Sequence, residues 1–225
     1  MLSTGFAHGA GNSFDFGVIS AQGGVPMSQR ITLASQSAAR QQMLRNAGVE
    51  FTVKPARIDE AAITASLQAG GASPNDIVDT LAEYKALRVA GSDPTGLVIG
   101  ADQILVCDKK IYSKACTMDE ARAKLVELRG KPHQLMSAAV IFEDGKPVWR
   151  TVGRAQLFMR DFSDAFLDDY LEQSGTDILS SVGCYFLEDR GVSLFSRVQG
   201  DYFTVLGFPL LDVLEFLRGR GAILS

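Results

Sequence analysis

Cysteine and histidine are scarce in this chain, with three of the first and two of the second among 225 residues. Cys107, Cys116 and Cys184 are widely spaced and form no C-x-x-C pair, so neither a disulfide framework nor a zinc site is indicated, and a reducing cytoplasmic setting is expected. With only His8 and His133 available, a Ser-His-Asp mechanism would have to rest on His133, for which the sequence offers no partner. No apolar run approaches the ~20 residues of a membrane helix, so no membrane role is expected. Positive charge is short as well: 22 Lys and Arg stand against 26 Asp and Glu, a net charge of -4, and no whole-chain basic field draws in a nucleic acid polymer. Neither an internal repeat nor a low-complexity linker divides the chain.

What remains is an average globular mix, 46% hydrophobic and 21% charged. Residues 1–27 are rich in Gly, Ser and Ala and lack the basic flank and long apolar stretch of a secretory signal. They are expected to be a flexible extension, Met27 being itself a candidate start, with one two-lobed domain over 28–225. From residue 30 strand and helix patterns alternate. A short strand at 31–34 runs into a helix capped by Ser35 or Ser37, and a second strand at 51–53 ends in a polar loop holding Asp59 and Glu60. Ser73-Pro74-Asn75-Asp76 opens a helix whose face carries Ile77, Leu81 and Tyr84. The most apolar stretch, 97–107, suits a central strand or a bent pair, and a turn follows at Asp108-Lys109-Lys110. Thr117 and Glu120 form a capping-box pattern. A hairpin of 135–142 and 148–159 turns at Asp144-Gly145. Helices are expected at 163–174 and 209–218, and strands near Tyr185 and at 193–198. The pattern is that of a mixed α/β unit with two lobes.

Three places could carry chemistry. Ser35-Gln36-Ser37-Ala38-Ala39-Arg40 lies where a strand passes into a helix, and free N–H groups, the helix dipole, hydroxyls and an arginine favour anions there. The same residues also read as a serine cap followed by a solvated arginine. Asp102 sits inside an apolar run, where an ionised carboxylate costs several kcal/mol unless something compensates it. It is a metal ligand, a general base, or a carboxylate satisfied by backbone N–H groups. Glu60, beside Asp59, could add a second carboxylate to the same cation, since Mg²⁺ takes one or two and leaves its other positions to water and phosphate. Lys85 and Lys114, taken singly, read as surface lysines.

Taken together and in this order, the pieces resemble the Maf family of nucleoside triphosphate pyrophosphatases. The resemblance rests on Leu33-Ala34-Ser35-Gln36-Ser37-Ala38-Ala39-Arg40-Gln41, Asp59-Glu60, Leu81-Ala82-Glu83-Tyr84-Lys85-Ala86, Gly100-Ala101-Asp102-Gln103, Lys114, and Gly200-Asp201-Tyr202 followed by Val205, Gly207 and Pro209. It departs at Ala38 in place of proline, Gln41 in place of a second arginine, and Ala115 in place of proline. The resemblance implies an elongated, twisted mixed sheet with flanking helices and two lobes around a cleft, similar to the inosine triphosphatase-like enzymes. It implies hydrolysis of a nucleoside triphosphate to the monophosphate and pyrophosphate with Mg²⁺ or Mn²⁺, and a homodimer. Asp102 would be proton acceptor and metal ligand and Glu60 metal ligand or water-positioning group, with Ser35, Ser37, Arg40, Lys85 and Lys114 on the phosphates. Gln103 and Glu188 match the subgroup similar to 7-methyl-GTP enzymes, whereas Ala39 stands where that subgroup has a tryptophan. The alternative from another class is a non-catalytic or weakly catalytic nucleotide-binding regulator of septum formation and cell division, which loss of the second arginine favours.

Overall fold

The computed structural model describes residues 29–92 and 96–224, and the extension expected over 1–27 lies outside them. In chain order the elements are β1 (Ile31–Leu33), α1 (Ala38–Asn46), β2 (Thr52–Val53), α2 (Glu60–Ala69), α3 (Pro74–Ala90), β3 (Leu97–Cys107) and β4 (Lys110–Tyr112). There follow α4 (Met118–Leu128), β5 (Pro132–Glu143), β6 (Lys146–Met159), α5 (Asp164–Ser174), β7 (Phe195–Gln199), α6 (Tyr202–Val205) and α7 (Leu210–Gly219). The strands make one mixed sheet in the order β2-β1-β3-β5-β6-β7, with β4 paired to β3. The pairs of β1 with β2 and with β3 are parallel, and the β3, β5, β6 and β7 ladder is antiparallel.

Side chains alternate across a strand, so the apolar run of β3 serves two layers at once. Leu97, Ile99 and Ala101 pack with Ala139 and Ile141 against α1 and α7, whereas Val98 and Ile104 pack with Ala138, Val140 and Phe142 against α3. Past Ile104, Leu105 and Cys107 join a third cluster built on α4, α5 and the segment around Tyr185. Local signals place the helices. Ser73 forms a capping box with Asp76 and Pro74 stands in the first turn, while Thr117 and Ser163 cap α4 and α5. The β5–β6 turn has both Asp144 and Gly145 at positive φ, the geometry that matches the twist of a hairpin.

Two expectations differ. The polar loop at Asp59-Glu60 is the start of helix α2: the Asp59 side chain accepts the N–H of Ala62 at 3.0 Å, and the alanine-rich run behind it has high helix propensity. No strand forms near Tyr185. That segment lies between two 3₁₀ turns, Gly175–Ser180 and Arg190–Leu194, and Cys184 there holds a left-handed φ of 57°. On α3, Tyr84 is exposed and Lys85 takes the buried place beside Leu81 and Ala82. Among the described residues no helix is long and apolar enough to cross a membrane.

His133, on β5, does find a partner, though not a catalytic one: its Nε2 lies 2.7 Å from the Tyr185 hydroxyl, and its Nδ1 is buried without a partner. Burial pushes the imidazole down to about 4 from an ordinary 6.5. The unfolded chain therefore takes up the proton first, so stability due to the neutral ring is complete above pH 6.5 and is lost as pH falls toward 4. The unfolding free-energy gap between the unmodified protein and His133→Gln should shrink by about 2 kcal/mol from pH 7 to pH 5 in urea titrations. A gap that does not vary with pH would contradict this.

Candidate active site

The carboxylate that the sequence leaves uncompensated meets its cation inside the fold. Lys85, only 7% exposed on α3, places Nζ 2.6 Å from Oδ1 of Asp102 and 2.7 Å from Oε1 of Glu60. One ammonium thus joins the middle of β3 to the first residue of α2. The strand period explains the aim of Asp102: it shares the α3 face with Val98, Gly100 and Ile104. Gly100 sets the approach. A Cβ there would lie 2.2 Å from the Ala82 carbonyl oxygen and 2.5 Å from the Ala86 nitrogen, so helix backbone rests directly on strand backbone beside Lys85.

Residues between β1 and α1 form the second part. Ser37 caps α1, its hydroxyl accepting the N–H of Arg40 at 3.4 Å, and Ser35 Oγ accepts the N–H of Ser37 at 3.2 Å. Arg40 is buried rather than solvated. Its Nε donates to the Gly207 carbonyl at 2.8 Å, and its Nη1 donates to the Ala101 carbonyl at 2.9 Å and to Ser35 Oγ at 3.2 Å. The guanidinium therefore ties α1 to β3 and to the turn after α6 through Nε and Nη1. Gln41 turns the other way, its amide N–H donating to the Gln36 carbonyl and its oxygen accepting from Arg45.

Gln103 points to the face opposite Asp102, one residue on. Its amide nitrogen donates to Ser137 Oγ and to the carbonyls of Thr204 and Val205, at 3.0 to 3.1 Å, and Ser137 donates to the same Thr204 carbonyl at 2.8 Å. Asp201 caps α6 through the N–H of Thr204. Gln103 thus holds α6 in place and does not line the neighbouring cavity. Ala39 and Glu188 do line it, together with Met43, Tyr202, Phe203 and Leu210, around a space of about 450 Å³. Lys114 is exposed on the loop after β4. Ser137, Thr204 and the carbonyls of Ala101 and Gly207 are missed from sequence. The only available signal is a serine inside the apolar run of β5.

Three cations, Arg40, Lys85 and Lys114, face two carboxylates. Burial pushes Glu60 upward, but Lys85 beside it, with Lys114 and Arg40 beyond, outweighs that and holds the carboxyl below its ordinary range. Lys114 is pushed down, first by desolvation and then by repulsion from Arg40 and Lys85, against the pull of Glu60 and Asp102. A group that is electrostatically uncomfortable among cations gains when an anion arrives. Among the described residues no three His, Cys, Asp or Glu converge on a metal position. Two hard carboxylates sharing one ammonium do suit a divalent cation that arrives with phosphate oxygens and keeps water in its other positions.

The site is thus a buried lysine between two carboxylates next to a strand-to-helix junction, of the kind whose free N–H groups favour anions, on the mixed sheet of an α/β protein. Residues 30–220 match the family described as Maf-like protein, and the chain belongs to that family. It is 53% identical over 193 residues to the nucleoside triphosphate pyrophosphatase of Caulobacter vibrioides, covering 86% of this chain and 96% of that one. It is 48% identical to the protein of the same name from a Ruegeria species, over 88% of this chain and 99% of that one. With nucleoside triphosphate pyrophosphatase 1 of a Jannaschia species it shares 50% identity, over 86% and 98%.

Proposed function

We propose that this chain hydrolyses a nucleoside triphosphate between the α and β phosphorus atoms, releasing the monophosphate and pyrophosphate. The observation that carries this reading is the Lys85 ammonium held between Asp102 and Glu60 beside the Ser35–Arg40 junction. In it, the N–H groups at the start of α1, the two serines, Nη2 of Arg40 and the exposed Lys114 receive the phosphate oxygens. Oδ1 of Asp102 is held by Lys85, so Oδ2 takes the proton from the attacking water, while Glu60 orients that water. The water oxygen bonds to the α phosphorus, the bond from the α phosphorus to the bridging oxygen breaks, and pyrophosphate leaves with that oxygen and the electron pair. Asp102 and Glu60 would also hold Mg²⁺ or Mn²⁺, which when bound neutralises triphosphate charge and acidifies water. Retention of all three charged partners in one contact supports catalysis over nucleotide binding alone.

The cavity beside the site supports a modified purine as the base. Its walls are largely apolar, Tyr202 offers a half-exposed aromatic face where Ala39 lacks one, and Glu188 is the carboxylate on its rim. A carboxylate accepts both N–H donors of a guanine edge, favours the positive charge of a 7-methylated ring, and faces a repelling carbonyl on thymine or uracil.

Two outcomes test these readings. With Mg²⁺ or Mn²⁺, pyrophosphate should be released from a nucleotide panel, and Asp102→Asn should cut kcat at least about a hundredfold while the variant stays folded. Near-normal release by that variant would make Asp102 structural. For the base, kcat/KM should favour 7-methyl-GTP over dTTP, and Glu188→Gln should erode the ratio about tenfold, the loss of one charge-assisted contact. A higher value for dTTP would remove the base assignment and leave the pyrophosphatase reading intact.

A further inference from the structure

Lys124, on α4, is 9% exposed, and among the described lysines only Lys85 is as deeply buried. Lys85 has two carboxylates. The Lys124 ammonium instead donates to two backbone carbonyls, those of Ser113 and of Val182, the latter at 3.1 Å. An ammonium buried without a carboxylate partner is costly, and desolvation pushes this one down from its ordinary value. The site outlined above makes no use of it, yet Ser113 is the residue just before Lys114.

One helical turn earlier on the same face of α4 stands Glu120, four residues from Lys124. Its Oε2 accepts the N–H of Cys116 at 2.7 Å. The two side chains therefore grip the loop on either side of Lys114-Ala115, one by a carbonyl and the other by an N–H. Ala115 between the grips is buried in the cluster that contains Leu125 and Leu128 of α4. With a backbone carbonyl and an N–H held and Ala115 buried between them, the loop carries the Lys114 side chain toward Arg40, Lys85 and the two carboxylates.

We propose that Glu120 and Lys124 form a clamp that positions Lys114 for the triphosphate; neither touches substrate, and the inference rests on the reading that Lys114 binds phosphate. Losing the clamp lets the loop relax and moves the Lys114 charge off the phosphate, weakening substrate capture more than the chemical step.

Steady-state kinetics of the full chain test this with Lys114→Ala, Lys124→Met and the two combined. Each single change should raise KM about tenfold with kcat altered much less, and the combination should be no worse than Lys114→Ala alone. Glu120→Ala, near the exposed start of α4, tests the other grip and stands in should Lys124→Met fail to fold. Glu120→Gln keeps the acceptor oxygen and should keep KM. If Lys114→Ala raises KM while Lys124→Met or Glu120→Ala lowers kcat/KM by the same factor with and without it, the side chains are structural and the clamp is refuted. If Lys114→Ala leaves KM unchanged, the phosphate role of Lys114 fails and the clamp inference falls with it.

Discussion

A single ammonium, that of Lys85, holds the site together. Asp102 is 6% exposed in the centre of the sheet, where a bare carboxylate costs several kcal/mol, and Lys85 is as deeply buried on the helix above it. The Asp102 charge would not be tolerated there without Lys85. Their contact lets β3 carry an ionised group through an apolar core, and the bond from the same nitrogen to Glu60 draws in the start of α2. Of the two carboxylates, Glu60 is the half-exposed one.

The rest of the architecture delivers these groups to one another. Gly100 lets α3 rest on β3, so Lys85 reaches Asp102 without stretching across a packing gap. The alternation that turns Asp102 to α3 sends Gln103 to the opposite face, where it and Ser137 hold α6 by its carbonyls. Arg40 joins the two sides by donating to Ala101 on β3 and to Gly207 beyond α6. Two consecutive residues of one strand thus serve the charged site and the wall of the neighbouring cavity. One buried guanidinium therefore links the turn after α6 to Ser35 in the loop between β1 and α1.

How much of this is legible in the sequence depends on the range of the interaction. The capping box at Ser73, the Thr117 cap, the Asp144-Gly145 turn and the apolar run of β3 are local signals, and each element forms where its signal stands. That Asp102 must be compensated is also legible, because the cost is a property of one residue in an apolar run. Which residue compensates it is not: Lys85 is 17 positions away, and on its helix it looks like any solvated lysine. The ordered motifs bring Ser35, Arg40, Glu60 and Lys114 to the same region, but they do not reveal that Arg40 gives most of its donors to the protein. Helix α2 is missed because its cap, Asp59, reads as half of an acidic loop pair. Lys124 leaves no trace in sequence, since its partners are backbone carbonyls.

The central claim is that Lys85 and Asp102 make each other's burial possible, and a double-mutant cycle in urea unfolding measures that directly. Lys85→Met should destabilise the protein by about 3 kcal/mol by stranding the Asp102 charge, and Asp102→Asn by less, because Lys85 keeps Glu60 as a partner. Combined, they should cost at least about 2 kcal/mol less than the sum of the two, because the double change leaves no stranded charge at that contact. Additive losses would show that the two charges are stabilised independently, and the account of the site built on their pairing would be wrong.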